Sequence, residues 1–132
     1  MKTDLTRLIK STLYAWNGLK QSFRTEQNFR IEIFLSILII ILGFVLHINL
    51  LEWIWVLISA FSVMSAELLN TAVERLTDLI IERRRNNLAR QAKDIAAAGV
   101  LLMVAQALIA GSVVFVPKIL KSFALMSQYF PQ

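Results

Sequence analysis

The chain has 132 residues, 57% of them hydrophobic, a mean hydropathy of +0.61 and no cysteine. That length allows a single domain, the missing thiols exclude a disulfide framework or cysteine chemistry, and the apolar content is too high for a soluble domain this small. The net charge of +5 invites a nucleic-acid reading, but the basic residues flank apolar runs instead of lying among stacking aromatics, so no nucleic acid is expected.

Residues 1–25 predict an amphipathic surface helix. Leu5, Leu8, Ile9, Leu13, Trp16, Leu19 and Phe23 share one face, and Arg7, Lys10, Tyr14, Asn17 and Gln21 the other. This is the pattern of a basic helix lying in a membrane interface. A plain anchor would read the same way, except that Tyr14 sits beside Arg7 on the polar face, where it can stack on a base or sugar. Thr25 to Glu32 lead into the first span and put Glu26 and Glu32 at or just inside the cytoplasmic boundary.

Three runs reach the roughly 20 apolar residues needed to cross a bilayer, at about 31–50, 51–73 and 95–116. The whole chain, 1–132, thus reads as one all-α integral-membrane domain. The first run is no cleavable signal, because a polar segment precedes it and its exit, His47-Ile48-Asn49-Leu50, lacks a small-residue cleavage site. His47 reads as a solvated residue at the outer interface. The third run is uncharged and closes at Pro117. Its Ala96-Ala97-Ala98-Gly99 stretch predicts close helix packing, and Gln106 and Ser112 predict interhelical hydrogen bonds. Lysine and arginine gather in 1–30 and 74–94 and are absent from His47 to Glu52. The positive-inside rule then puts the N-terminus in the cytoplasm and the C-terminus outside, with Trp53 and Trp55 in the outer aromatic belt. The 79–91 loop, with Arg83, Arg84 and Arg85, either serves this topology and anionic lipid or forms a basic lip near bound phosphates.

The second span ends in Glu67-Leu68-Leu69-Asn70-Thr71-Ala72-Val73-Glu74-Arg75-Leu76-Thr77-Asp78. At about 100° per helical residue, with Glu67 at zero, Asn70 falls near about −60°, Thr71 +40°, Glu74 −20° and Asp78 +20°. The polar groups therefore form one narrow stripe. Ionisable residues at membrane depth are costly and usually functional. Stacked carboxylates repel unless a cation or proton intervenes, so the stripe predicts a metal site. With three spans, much of each helix faces lipid, and self-association is expected to bury the stripe between protomers. The glycines Gly18, Gly43, Gly99 and Gly111 are scattered, leaving neither a P-loop nor a dinucleotide fingerprint. Nucleophile-elbow and kinase signatures are also absent. A nucleotide would have to be held by metal, carboxylates and isolated basic side chains.

Over roughly residues 5–117 the chain resembles the prokaryotic diacylglycerol kinases, small integral-membrane lipid kinases. The likeness rests on Arg7, on Tyr14-Ala15-Trp16-Asn17-Gly18-Leu19, on Glu26 ahead of Phe29-Arg30, on the Glu67–Asp78 stripe and on Ala92-Lys93-Asp94. The resemblance implies a homotrimer of three-span subunits in a bacterial cytoplasmic (inner) membrane, with active sites shared between neighbours. It implies Mg²⁺-dependent transfer of the γ-phosphoryl group of ATP to a lipid alcohol at the cytoplasmic face, turning diacylglycerol into phosphatidic acid. Position by position, Glu67 resembles the general base, and Glu26 and Glu74 resemble the metal ligands. Asn70 and Lys93 resemble phosphate and transition-state contacts. Arg7, Tyr14, Asp78 and Asp94, with Glu26, Glu74 and Lys93, resemble the ATP-binding set. Asn28, Phe29, Arg30 and Glu32 resemble the lipid site beside Glu67. Phosphoryl transfer depends mainly on positioning and charge neutralisation, and Mg²⁺ takes few carboxylates and several waters, so the chemistry agrees.

The chain departs from the family at Glu82-Arg83-Arg84-Arg85-Asn86-Asn87, where members often carry an acidic-aromatic-histidine stretch, and no adenosine contact is carried over from there. Within the family the alternative is an undecaprenol kinase. The segments Leu46 to Trp53 and Gly111 to Ile119 look like that branch, whereas Glu32 favours the diacylglycerol branch. The other rivals are an inactive relative and a channel subunit. Against a channel, the charges cluster in the cytoplasmic third, with nothing polar continuing along the outer half of the second span.

Overall fold

The apolar runs and the amphipathic N-terminus become four helices, α1 (Lys2–Thr25), α2 (Gln27–Val45), α3 (Leu50–Ile81) and α4 (Asn87–Tyr129). The computed structural model describes residues 2–81 and 87–129. Glu82, the arginines Arg83 to Arg85 and Asn86 lie outside the described residues. No strand occurs among the described residues, and α2, α3 and α4 are each long and apolar enough to cross a membrane. The fold is that of an all-α membrane protein.

Helix α1 packs chiefly on α2 and leaves Leu5, Leu8, Leu13 and Trp16 each more than half exposed. An apolar stripe open along its length, opposite a basic one, suits a helix lying in the headgroup layer. Helix α3 is the most buried span and packs most extensively on α4. Its inner seam runs through Val56, Ser59, Val63, Glu67, Asn70, Thr71 and Thr77, mostly at three- and four-residue steps, and changes from mainly apolar to polar at Glu67. At ~1.5 Å per residue the helix is ~48 Å long, against a hydrocarbon core of ~30 Å. Counted from Leu50, Glu67 lies ~26 Å along the axis, while Glu74 and Asp78 lie ~36 and ~42 Å along it, past the core. Across the seam, Gln106 Nε2 donates to Ser59 Oγ at 3.0 Å, as expected of Gln106.

Several local expectations change. The chain stays helical to Ile81 and resumes at Asn87, so helix occupies both ends of the 79–91 loop expected from its charges. Helix α4 also continues through Pro117 to Tyr129. Proline removes one backbone donor, a loss that membrane helices tolerate when neighbours resatisfy the freed carbonyl. A Cβ on Gly99 would meet nothing within 4 Å, so the small-residue stretch at 96–99 does not make its tight contact there. The tight approach is at Gly43, where a Cβ would lie 2.8 Å from Trp53 Cη2 and 3.0 Å from Ile48 Cδ1.

That approach closes the α2–α3 hairpin. The His47 N–H bonds the Phe44 carbonyl at 3.2 Å and the Ile48 N–H bonds the Gly43 carbonyl at 3.1 Å, a Schellman ending with His47 in the left-handed region at φ 49°. Asn49 then caps α3 reciprocally with Glu52: Glu52 N–H donates to Asn49 Oδ1 at 3.0 Å and Asn49 N–H to Glu52 Oε2 at 2.6 Å. Lys118 Nζ reaches the same Oε2 from α4 at 3.0 Å. Trp53 turns inward against Phe44, with ring centroids 4.8 Å apart, whereas Trp55 remains exposed.

Gly43→Ala sets two effects against each other. Alanine gains about 1 kcal/mol of helix propensity over glycine, but overpacking typically costs 1–3 kcal/mol. We expect a net loss of roughly 1 kcal/mol, measured as denaturant unfolding in micelles. In a Trp53→Leu background the same substitution should become neutral or stabilising.

Candidate active site

Helices α1 and α2 meet at a single non-helical residue, Glu26 (φ −99°, ψ 119°). The elbow is fastened from both sides. The Glu26 N–H donates to the Ser22 carbonyl at 2.8 Å. Arg30 Nη1 donates to the carbonyls of Phe23 and Arg24 at 3.2 and 3.1 Å, satisfying the open end of α1. Phe29, 4% exposed, is buried beside it. Two of the residues expected at the lipid site, Phe29 and Arg30, therefore build the elbow.

The Glu26 side chain does not cap α2. Its Oε1 accepts from Thr25 Oγ1 at 2.8 Å and from Arg75 Nη2 at 2.9 Å, and the same Nη2 donates to Thr25 Oγ1 at 2.7 Å. The Thr25 hydroxyl, and after it the Arg75 guanidinium, hold the Glu26 carboxyl below its ordinary value of 4.5. The folded-state value is depressed, so this link is complete above pH 4.5 and is lost only as pH falls through the lower folded value.

Glu67 is 4% exposed within one chain, which corrects the expectation that partner protomers are needed to hide it. The elbow brings the Asn28 side chain within polar reach of its carboxylate. Glu26 and Glu74 lie within electrostatic reach of Glu67, and so does Glu32. One turn along, Asn70 Nδ2 donates to Glu74 Oε1 at 3.3 Å, while Asn70 Oδ1 is buried without a hydrogen-bond partner. A buried orphan oxygen calls for an explanation, an ion being one. Among the described residues no three His, Cys, Asp or Glu side chains form a metal cage. Mg²⁺ does not require one, since it takes one or two carboxylates and keeps its waters. Glu74 and the orphan Asn70 oxygen are hard donors of the kind such a cation takes, and Glu26 lies within electrostatic reach of the neighbouring Glu67 carboxylate.

Further towards the end of α3, Asp78 Oδ1 pairs with Lys93 Nζ of α4 at 2.9 Å. Arg7, Tyr14 and Asp94 are exposed. On the opposite side of Glu67, a cavity of about 410 Å³ opens between α2, α3 and α4, walled by residues such as Leu35, Ile39, Val63, Leu108 and Phe115. Ser112 lines it, and Glu32 is its one charged lining residue among those described, with Oε2 buried and unpartnered. Sequence reasoning missed Thr25 and Arg75. Arg75 reads in sequence as one more topological charge, and its reach to the elbow follows only from how α3 docks against the start of α2.

The chain so assembled is an all-α membrane protein, with a buried carboxylate between an apolar cavity and a charged row at one end of its central helix. Residues 13–115 match the family described as prokaryotic diacylglycerol kinase. An undecaprenol kinase from Bacillus subtilis is 34% identical over 118 residues, covering 89% of this chain and 95% of the relative. A diacylglycerol kinase from Haemophilus influenzae is 43% identical over 100 residues, covering 76% of this chain and 84% of the relative. One from Synechocystis sp. is 37% identical over 113 residues, covering 86% of this chain but only 65% of the longer relative. The chain belongs to the prokaryotic diacylglycerol kinase family and is a lipid kinase of that type.

Proposed function

We propose that this kinase transfers the γ-phosphoryl group of ATP to the hydroxyl of a membrane lipid, with diacylglycerol as acceptor and phosphatidic acid as product. The observation that carries the reading is Glu67, a carboxylate 4% exposed in a membrane-crossing helix, with Glu32 and the apolar cavity on one side and Glu74 on the other. Glu67 takes the proton of the lipid hydroxyl, with the Asn28 side chain beside it. The cavity takes an apolar chain of the lipid, and Glu32 at its rim meets the polar headgroup. Phe29 and Arg30 act by shaping the elbow.

Glu26, Glu74 and Asn70 would hold Mg²⁺, which when bound neutralises charge on the phosphates. Lys93, held at the cytoplasmic end by Asp78, offers a mobile point charge to phosphate oxygens. Arg7, Tyr14, Asp78 and Asp94 contact the nucleotide. The N-terminus and the α3–α4 connection face the cytoplasm of a bacterial inner membrane, and the C-terminus lies outside. Exposed apolar side chains along α2 and α4, such as Phe34, Phe44, Leu101 and Leu108, leave surface for the neighbours of a homotrimer whose sites are shared.

A second acceptor is supported by one observation, the Bacillus subtilis relative named undecaprenol kinase, which aligns with 89% of this chain. Both lipids present a primary hydroxyl on a membrane-anchored chain, so the transfer residues do not separate them.

Purified protein in micelles with labelled ATP and both lipids tests the reading. Glu67→Gln should lower lipid phosphorylation by 10² to about 10⁴-fold, the usual loss for a general base, with the thermal unfolding midpoint preserved. Near-normal turnover would remove Glu67 from the chemistry. Glu26→Gln and Glu74→Gln should each raise the Mg²⁺ concentration needed for half-maximal rate at saturating ATP. An unchanged Mg²⁺ titration in both would leave the carboxylate row without its cation. With both lipids at equal mole fraction, we expect phosphorylation of each and a modest preference for diacylglycerol. A preference for undecaprenol beyond about tenfold, or 1.4 kcal/mol of transition-state binding, would make that lipid the substrate.

A further inference from the structure

Arg75 follows Glu74 directly, so it sits about 100° round the helix and off the carboxylate stripe. Its guanidinium nevertheless crosses to the α1–α2 elbow, where one nitrogen, Nη2, reaches Thr25 Oγ1 at 2.7 Å and Glu26 Oε1 at 2.9 Å. Stability alone is a poor reason for such a pair. The two side chains are 42% and 26% exposed, and solvent screens ion pairs of that kind to little net value.

The geometry gives the pair another use. Asn70 and Glu74 project from the rigid backbone of α3, but Glu26 is the one residue between two helices, so its helix does not aim its side chain. The bonds from Thr25 and Arg75 both end on Oε1, so neither occupies Oε2. A carboxylate anchored through one oxygen presents the other in a fixed direction, and carboxylates that bind metals are commonly oriented by such outer partners. Thr25 adds to the anchor, because its hydroxyl accepts from Arg75 while lying within bonding distance of Oε1.

We propose that Arg75, assisted by Thr25, is a positioning residue that aims the Glu26 carboxylate at the divalent cation. The inference rests on the cation site of the kinase reading. Arg75 touches neither nucleotide nor lipid in this role. It acts only through Glu26, and its removal therefore weakens metal binding more than it slows transfer at saturating metal.

The test uses the full chain in lipid micelles with a non-hydrolysable ATP analogue, and Mn²⁺ binding read by electron paramagnetic resonance. Losing an outer partner typically costs 10–100-fold in metal affinity, so Arg75→Met should weaken Mn²⁺ binding by about tenfold or more. Arg75→Lys should recover part of the loss, since it restores the charge but not the fork. In activity assays the Mg²⁺ requirement of Arg75→Met should rise while kcat at saturating Mg²⁺ changes less, a split that a loosened fold would not produce. Wild-type or tighter Mn²⁺ binding in Arg75→Met, with Glu26→Gln weakened, overturns the role of Arg75 and leaves the cation site standing. Unchanged Mn²⁺ binding in Glu26→Gln overturns the cation site and this inference with it. Should Arg75→Met fail to fold, Thr25→Val and Arg75→Lys decide: weakened binding in both supports the proposal, and wild-type affinity in both overturns it.

Discussion

An ionisable group in hydrocarbon has to be enclosed by protein, because the membrane core offers it neither water nor counter-charge. Glu67 imposes that requirement on a chain with only three spans. Two parallel or antiparallel helices cannot surround a side chain on the third, so the enclosure has to come from elsewhere. It comes from the point where α1 ends and α2 begins. Ser22 and Arg30 satisfy the backbone there, Phe29 is buried, and Asn28 lies within polar reach of the carboxylate itself. The surface helix is thus attached to the bundle through the residues that cover its most costly side chain, and a change in the elbow is felt first at Glu67.

Helix α3 is built against its own electrostatics at this end. The C-terminus of a helix carries a partial negative charge that favours cations, yet the last turn of α3 has no basic residue and does contain Asp78. Glu74 lies one turn earlier. Lys93 from α4 supplies compensation at Asp78 from the side, while Arg75, on α3 itself, is turned to Glu26. An arrangement optimised for stability would place lysines where these carboxylates stand. Keeping the acids and importing the cations leaves negative groups ready for something positive and small, which suits a site for phosphoryl transfer.

The polar stripe was legible from spacing alone, because a rigid 3.6-residue period converts sequence separation into angle. The spans were legible because length and apolarity leave few alternatives. Gln106 was legible because a lone amide inside a membrane helix has to find a partner, and Ser59 is it. What could not be read was anything that depended on how the helices dock. Gly43 and Gly99 look alike in sequence, and only the rotation of α2 against Trp53 makes one of them necessary. The shelter of Glu67 within a single chain depends on the angle at Glu26, a residue with no turn-forming character of its own. Asn49 and Glu52 are the exception that spacing does signal, since an asparagine followed three residues later by a glutamate is a helix-start pattern.

The α2–α3 hairpin bears on how such a chain enters a membrane during synthesis. Its reversal takes four residues, 46–49, between two apolar helices, and its turn is closed by hydrogen bonds among residues 42 to 53. Those hydrogen bonds take nothing from α4, although Ile48 packs in one cluster with Val114 and Phe115 of that helix. The first two spans can therefore cross as a preformed pair, carrying Glu52 inside a cap instead of as a bare charge. The bond from Lys118 arrives only when the last span has been made. That ion pair is the late fastening of a hairpin whose hydrogen bonds were already closed.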